Sequence, residues 1–106
     1  MQDQFSRTRL LLGNSAMEKL ASARVAIFGV GGVGGYVAEE LARSGIGSFD
    51  LIDSDIISTS NINRQIIATV KTVGQYKVDV MKERILDINP GADVHTYKCF
   101  FLPGSE

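Results

Sequence analysis

Residues 24–34 read RVAIFGVGGVG, and the fold prediction depends on this stretch. The run from Arg24 to Phe28 is short, apolar and closed by a glycine, which is typical of a parallel strand covered on both faces. Glycines occupy positions 29, 31, 32, 34 and 35, and helical spacing of apolar residues returns from Tyr36 to Ser44. The stretch therefore predicts a strand, a glycine-rich turn and a helix that Gly45 ends.

Strands and helices continue to alternate on both sides of this stretch. A short helix is predicted at 16–23, with Asn14 or Ser15 as its N-cap, and strands are predicted at 48–53 and 94–101. Between those two strands, 54–73 is polar and irregular, and 74–89 has helical periodicity with Lys77 on its polar face. Four apolar residues predict the buried stripe of that helix: Val78, Met81, Ile85 and Ile88.

This order of elements predicts an α/β fold, a Rossmann-like doubly wound parallel sheet preceded by a short helix. Only three strands are predicted, whereas the average sheet has about five or six. We therefore interpret residues 1–106 as the amino-terminal, three-strand part of a larger domain in a longer protein.

The composition is that of an ordinary globular domain. Hydrophobic residues make up 44% of the chain, the formal net charge is −1, and the basic residues form no block of the kind that dedicated nucleic-acid binders carry. A single cysteine excludes an internal disulfide framework, and Cys99, in the apolar run YKCFF, is expected to be a buried thiol. No apolar run approaches the ~20 residues of a membrane span, so we expect a cytoplasmic protein without membrane contact.

The glycine-rich turn has the spacing of a dinucleotide fingerprint between a strand and a helix. Gly29 is expected to make the tight turn, Gly31 to let a phosphate approach the backbone beside Gly32, and Gly34 to let the helix pack closely on the strand. Asp53 lies 19 residues beyond Gly34, at the end of the second strand, where a carboxylate can bind ribose hydroxyls. The pattern predicts an adenine-nucleotide site but does not choose between NAD and ATP.

Two cations after the second strand favour ATP. A triphosphate needs fixed positive charge and usually a metal ion, and Arg64 and Lys77 lie where the strand ends predict the site. The alternative interpretations remain open at this point: Arg64 as a surface loop residue and Lys77 as a solvated helix residue.

Four motifs, GVGGVG, LIDSD, SNINRQ and the GxxK at 74–77, together resemble the ThiF/MoeB family of adenylating enzymes, which is related to ubiquitin-activating enzymes. The resemblance runs from about Phe5 to Phe100. It implies that ATP converts a carboxylate to an acyl adenylate with release of pyrophosphate, with Mg²⁺ held by an aspartate beyond residue 106. By position it implies a ribose ligand at Asp53 and phosphate-binding residues at Asn61, Arg64 and Lys77. It places Asp55 and Gln65 in the same nucleotide site.

Five features are similar to one branch of that family, the tRNA threonylcarbamoyladenosine dehydratases: RLLLG at 9–13, NRQIIA at 63–68, VGQYK at 73–77, Arg84, and INP at 88–90. The resemblance implies a homodimer in which Arg7, or Arg9 two residues on, reaches the triphosphate of the partner subunit. It implies that a carboxylate of modified tRNA is activated and closed into a ring with loss of water. We expect residues 1–106 alone to be inactive.

Three other interpretations remain open. The chain could activate the carboxyl terminus of a ubiquitin-like sulfur-carrier protein, bind NAD(P) in an oxidoreductase, or serve as a catalytically silent nucleotide-binding module.

Overall fold

The computed structural model describes residues 4–5 and 13–99. Three helices and three strands alternate along this part of the chain, in the order α1 (Asn14–Ser22), β1 (Arg24–Phe28), α2 (Gly32–Ser44), β2 (Ser48–Ile52), α3 (Lys77–Ile88) and β3 (Asp93–Tyr97). A single 3₁₀ turn, Thr59–Asn61, interrupts the long connection between β2 and α3. Within the described ranges, no helix is long and apolar enough to cross a membrane.

The three strands form one parallel sheet in the order β1-β2-β3. Ala26 pairs with Asp50 and Asp50 pairs with His95, so each strand starts at the same edge of the sheet. Backbone hydrogen bonds continue past the carboxyl ends, from Gly29 N to Ile52 O and from Asp53 N to Tyr97 O. This arrangement confirms the predicted α/β fold, and it places the glycine-rich turn and Asp53 at the same edge.

Alternate residues of each strand pack against α2 and α3. Ile27 of β1, Phe49 and Leu51 of β2 and Val94 of β3 are buried in one cluster with apolar residues of the two helices, among them Ala38, Ala42, Val78, Met81 and Ile85. An ion pair between Arg84 and Glu39 joins α3 to α2 beside this core. The predicted stripe of α3 is confirmed at three positions, whereas Ile88 is only partly buried.

The opposite face of the sheet is open in the described residues, so the prediction of a strand covered on both faces is wrong for β1. Arg24, Ala26 and Phe28 alternate with the buried positions and are exposed. On this open face Arg24 donates two hydrogen bonds to the Asp50 carboxylate, at 2.8 Å and 2.6 Å. The ion pair lowers the pKa of Asp50, chiefly through the hydrogen bond from Arg24.

The lowered pKa of Asp50 predicts a pH-dependent stability difference between the unaltered chain and Asp50→Asn. A carboxyl whose pKa is lower in the folded state stabilises that state above its unfolded pKa of about 3.9, and this contribution is lost as the pH falls through the folded pKa. Urea unfolding should show a constant difference above about pH 5 that shrinks below pH 4. A difference that stays constant down to about pH 3 contradicts the assignment.

Several element boundaries differ from the predicted ones. Helix α2 begins at Gly32, four residues earlier than predicted, because the glycine-rich turn itself enters the helix. Helix α1 begins after Gly13 with no side-chain cap, so neither Asn14 nor Ser15 is its N-cap. Strand β3 ends at Tyr97, before the predicted end at 101.

Helix α3 begins at Lys77 rather than at 74, because the preceding residues pair with the chain that leaves β2. Ile57 N donates to Gln75 O at 2.8 Å, and Gly74 N donates to Ile57 O at 2.9 Å. Lys77 N then donates to Asp55 O at 3.0 Å. This short antiparallel ribbon holds the start of α3 beside the end of β2.

Candidate nucleotide-binding site

The glycine turn, residues 29–35, brings the end of β1 into close contact with the first turn of α2. Gly29 has a φ of +88°, a conformation that side chains disfavour. A Cβ on Gly34 would lie 1.7 Å from the carbonyl oxygen of Gly29, so only glycine allows this approach. The N-cap of α2 is Gly31, which has no side chain that could accept a hydrogen bond from the first N–H groups of the helix. The turn therefore presents the first N–H groups of a 13-residue helix, a site suited to an anion.

Asp53 joins the glycine turn to the chain that leaves β2. Its Oδ2 accepts a hydrogen bond from Val30 N at 3.0 Å, and its Oδ1 accepts one from Asp55 N at 2.8 Å. Each oxygen has a second lone pair, so the carboxylate can hold the turn and still accept from a ribose hydroxyl.

A pocket of about 330 Å³ opens beside Asp53 at the carboxyl edge of the sheet. In parallel α/β sheets, ligands bind outside the carboxyl ends of the strands. The pocket is lined by Phe28, Gly29, Ile52, Asp53, Ser54, Asp55 and Cys99.

Cys99 is exposed and lies after the end of β3, so the expectation of a buried thiol is wrong. Cys99 was predicted to lie inside a longer third strand, and neither Cys99 nor Ser54 was predicted to line a pocket. The sequence signal that could have identified them is their position, because Ser54 closely follows β2 and Cys99 closely follows β3, as Asp53 follows β2.

A second pocket, of about 350 Å³, lies at the amino edge of the sheet. Its lining includes Met17, Glu18 and the glycines that precede β2 and β3, Gly47 and Gly91. Because ligands of parallel sheets bind at the opposite edge, we assign the candidate site to the pocket beside Asp53.

Lys77 is buried, with 7% of its surface exposed, so the prediction that it lies on the polar face of its helix is wrong. It is the first residue of α3, where the ribbon with 55–57 covers it. Its Nζ lies 3.7 Å from the carboxylate of Asp55, which is exposed at the edge of the pocket. Within the described residues, the one ion pair of this buried ammonium is a long contact to an exposed carboxylate, which leaves its charge incompletely compensated.

The 3₁₀ turn before α3 is stabilised by Asn61. This residue is buried, and its Oδ1 accepts hydrogen bonds from the backbone N and the Oγ of Ser58, at 2.9 Å and 3.2 Å. Its carbonyl oxygen accepts from the backbone N of Arg64 and of Gln65. Asn61 therefore has a structural role in shaping the loop, and its Oδ1 already accepts two hydrogen bonds.

Arg64 is exposed, and its guanidinium lies against its own loop. Nη1 donates to Ser60 O at 2.7 Å and is 3.3 Å from Asn63 Oδ1. These contacts leave the other guanidinium nitrogens able to bind an anion, since the group has five N–H donors.

The next two loop residues pack on the glycine turn. The side-chain amide of Gln65 lies over Gly31, and a Cβ at position 31 would be 2.6 Å from Gln65 Oε1. Ile66 lies over Gly35 in the same way, with its Cγ2 3.2 Å from a Cβ at that position. The loop that carries Arg64 is thereby attached to the start of α2.

The described residues do not by themselves form a Mg²⁺ site. Within 4–5 and 13–99, no three His, Cys, Asp or Glu side chains lie together in a group that could hold a metal ion. Asp53 and Asp55 are neighbours, but Asp53 already accepts from two backbone N–H groups and Asp55 faces Lys77. Arg7 lies outside the described residues.

Comparisons with known proteins agree with this fold. The sequence model of the ThiF family matches residues 5–103 of this chain. The tRNA threonylcarbamoyladenosine dehydratase of Bacillus subtilis is 50% identical over 101 residues, which are 95% of this chain and 40% of that protein. The adenylyltransferase and sulfurtransferase uba4 of Aspergillus clavatus is 39% identical over 92 residues, 87% of this chain and 19% of that protein.

Among solved structures, the E. coli tRNA N6-threonylcarbamoyladenosine dehydratase in complex with ATP superposes with a TM-score of 0.91 and 44% identity. The match covers 94% of this chain and 41% of that one. The chain thus spans about 40% of the length of the dehydratases that it matches. A family model that matches residues 5–103, together with the same fold in a relative of 44% identity, shows that the chain belongs to the ThiF family.

Proposed function

We propose that this chain carries the ATP-binding half of an enzyme that activates a carboxylate as an acyl adenylate and releases pyrophosphate. The observation that carries the proposal is the convergence of the glycine turn, Asp53 and the buried Lys77 at one edge of the sheet. The structure of an E. coli relative in complex with ATP supports the choice of ATP over NAD.

In this proposal, each residue acts by binding or by its charge. The N–H groups at the start of α2 bind a phosphate, and Asp53 binds the ribose. Lys77 and Arg64 stabilise the negative charge that builds up on the α-phosphate and on the leaving pyrophosphate as the carboxylate attacks in line. Catalysis is then positioning and electrostatic stabilisation, so none of these side chains needs to act as a nucleophile.

The finer proposal is that the carboxylate belongs to threonylcarbamoyladenosine in tRNA, which is cyclised with loss of water. It is supported by relatives of that name at 40–50% identity. The same proposal includes a homodimer in which Arg7 reaches the partner's triphosphate. It also includes Mg²⁺ held outside the described residues and a cytoplasmic location. A second candidate substrate is the carboxyl terminus of a ubiquitin-like sulfur carrier, which the 39% identity to a uba4 adenylyltransferase and sulfurtransferase favours.

Isotope exchange between pyrophosphate and ATP tests the proposal. Exchange should depend on the carboxylate supplied, so the complete protein, with the part that follows residue 106 in its relatives, is assayed with threonylcarbamoyladenosine-containing tRNA and, separately, with a sulfur-carrier protein. Calorimetry should show ATP binding more tightly than NAD. Tighter binding of NAD, or a failure of both substrates to support exchange, contradicts the adenylating function.

Arg64→Ala should reduce the exchange rate by about 100-fold, the usual effect of removing one group that stabilises charge in a transition state. The side chain is exposed, and its hydrogen bonds to other described residues all lie within its own loop, so the unfolding free energy should change by less than about 0.5 kcal/mol. Arg43→Ala, which removes an exposed arginine from α2, is the matched control and should retain full exchange. Equal losses of stability and activity in Arg64→Ala contradict a catalytic role.

A further inference from the structure

One side chain, Lys98, joins the chain that follows β3 to the first turn of α3. Its Nζ lies 3.1 Å from a carboxylate oxygen of Asp79 and 4.6 Å from the centre of the Tyr76 ring. Tyr76 is the N-cap of α3, and Asp79 lies in the first turn of that helix. The Lys98 ammonium therefore contacts residues on both sides of Lys77, the buried cation of the candidate site.

The first turn of α3 is held from two directions. Tyr76 pairs with Ile56 in the antiparallel ribbon that leaves β2. From the side of β3, the same turn is held by Lys98, and the residue after it, Cys99, lines the pocket. The backbone that carries Lys77 thus lies between the ends of the two strands that border the pocket.

The contacts of Lys98 contribute little to the stability of the fold. The side chains of Lys98 and Asp79 are 46% and 45% exposed, and exposed ion pairs and exposed cation–π contacts are both weak. A reaction rate is far more sensitive to position, because a displacement of about 1 Å in a site can reduce the rate about 100-fold. Weak contacts that fix one helix turn can therefore matter for the rate without mattering for folding.

We propose that Lys98 is a positioning residue, which fixes the first turn of α3 and so determines where the Lys77 ammonium lies relative to the phosphates of the nucleotide. This inference rests on the proposed function. Lys98 is not among the described residues that line the pocket, and its ammonium contacts Asp79 and Tyr76. It therefore acts through Lys77 and not by binding the nucleotide.

Lys98→Met tests the positioning role in the complete protein, because methionine keeps an apolar side chain and removes the charge. The rate of pyrophosphate exchange at saturating ATP should fall about tenfold, since the proposed role of Lys77 is to stabilise the transition state. The KM for ATP should change by less than about twofold, and the melting temperature by less than about 2 °C.

Two further variants serve as rescue and control. Lys98→Arg should recover most of the rate, since a guanidinium also stacks on an aromatic ring and pairs with a carboxylate. Lys19→Met, on an exposed lysine of α1, is the matched control and should change neither the rate, nor the KM, nor the melting temperature.

The Lys77→Met background shows whether Lys98 acts through Lys77. Removing one group that stabilises the transition state leaves about 1% of the rate, which isotope exchange can measure. In this background, Lys98→Met should change the rate by less than about twofold. A loss of about tenfold in both backgrounds means that Lys98 acts independently of Lys77, and the inference is wrong. If exchange in Lys77→Met is too slow to measure, the rescue by Lys98→Arg and the separate effects on rate and KM decide.

Other outcomes contradict either the positioning role or the function on which it rests. An unchanged exchange rate in Lys98→Met overturns the positioning role and leaves the proposed function intact. A loss of rate that follows a loss of thermal stability, or that Lys98→Arg does not restore, also contradicts the positioning role. Lack of exchange in the unaltered protein with either carboxylate refutes the proposed function itself, and the positioning role with it.

Discussion

Replacing Gly34 by alanine should prevent the chain from folding. The new Cβ would lie 1.7 Å from the Gly29 carbonyl oxygen and 2.9 Å from its carbon, and both are backbone atoms that cannot rotate away. Relieving the overlap must separate α2 from the end of β1, which would disrupt the buried cluster around Ile27 and Ala38. We expect a loss of about 4 kcal/mol or more, beyond the usual range for overpacking and comparable to the whole stability of a small domain.

Circular dichroism during thermal and urea unfolding measures this loss. Gly32→Ala is the matched control: it lies in the same helix turn, and a Cβ there would meet no atom within 4 Å. Its φ of +50° predicts a cost of only about 1–2 kcal/mol. A Gly34→Ala chain that unfolds no more easily than Gly32→Ala would show that helix and strand can separate at this point without loss of the core.

Replacing Asp53 by alanine should reduce ATP affinity by about 100-fold or more. The change removes the proposed ribose ligand, and it also removes the acceptor of the hydrogen bonds from Val30 N and Asp55 N. Hydrogen bonds to a charged group contribute about 1.5–3 kcal/mol each, so the glycine turn and the start of the following loop both lose an anchor. The affinity loss should therefore exceed that of a lost ribose contact alone.

Asp53→Asn and Asp50→Asn distinguish these contributions by calorimetry with ATP. The asparagine at position 53 keeps one carbonyl acceptor and places an NH₂ group against a backbone N–H, so its affinity should fall between those of the alanine variant and the unaltered protein. Asp50 lies within β2, three residues before Asp53, and pairs with Arg24 on the open face of the sheet, so its replacement should leave ATP affinity unchanged. Full ATP affinity in Asp53→Ala would reduce this residue to a purely structural role.

The sequence by itself determined the order of the elements and the edge of the sheet at which the candidate site lies. The period of apolar residues and the spacing of glycines are local properties of a sequence. They therefore identified strand β1 up to Phe28, the glycine turn after it and the buried face of α3 through Met81 without knowledge of what packs against these elements. The position of Asp53 at the carboxyl end of β2 follows from the same local reasoning, because parallel strands bring their carboxyl ends to one edge.

The tertiary structure decided which side chains are covered. Lys77 is buried because residues 55–57 pair with 74–77, and Cys99 is exposed because β3 ends at Tyr97. The contact between the Gln65 amide and Gly31 joins segments more than thirty residues apart. Burial depends on contacts between such distant segments, and a one-dimensional pattern does not contain the packing that creates it.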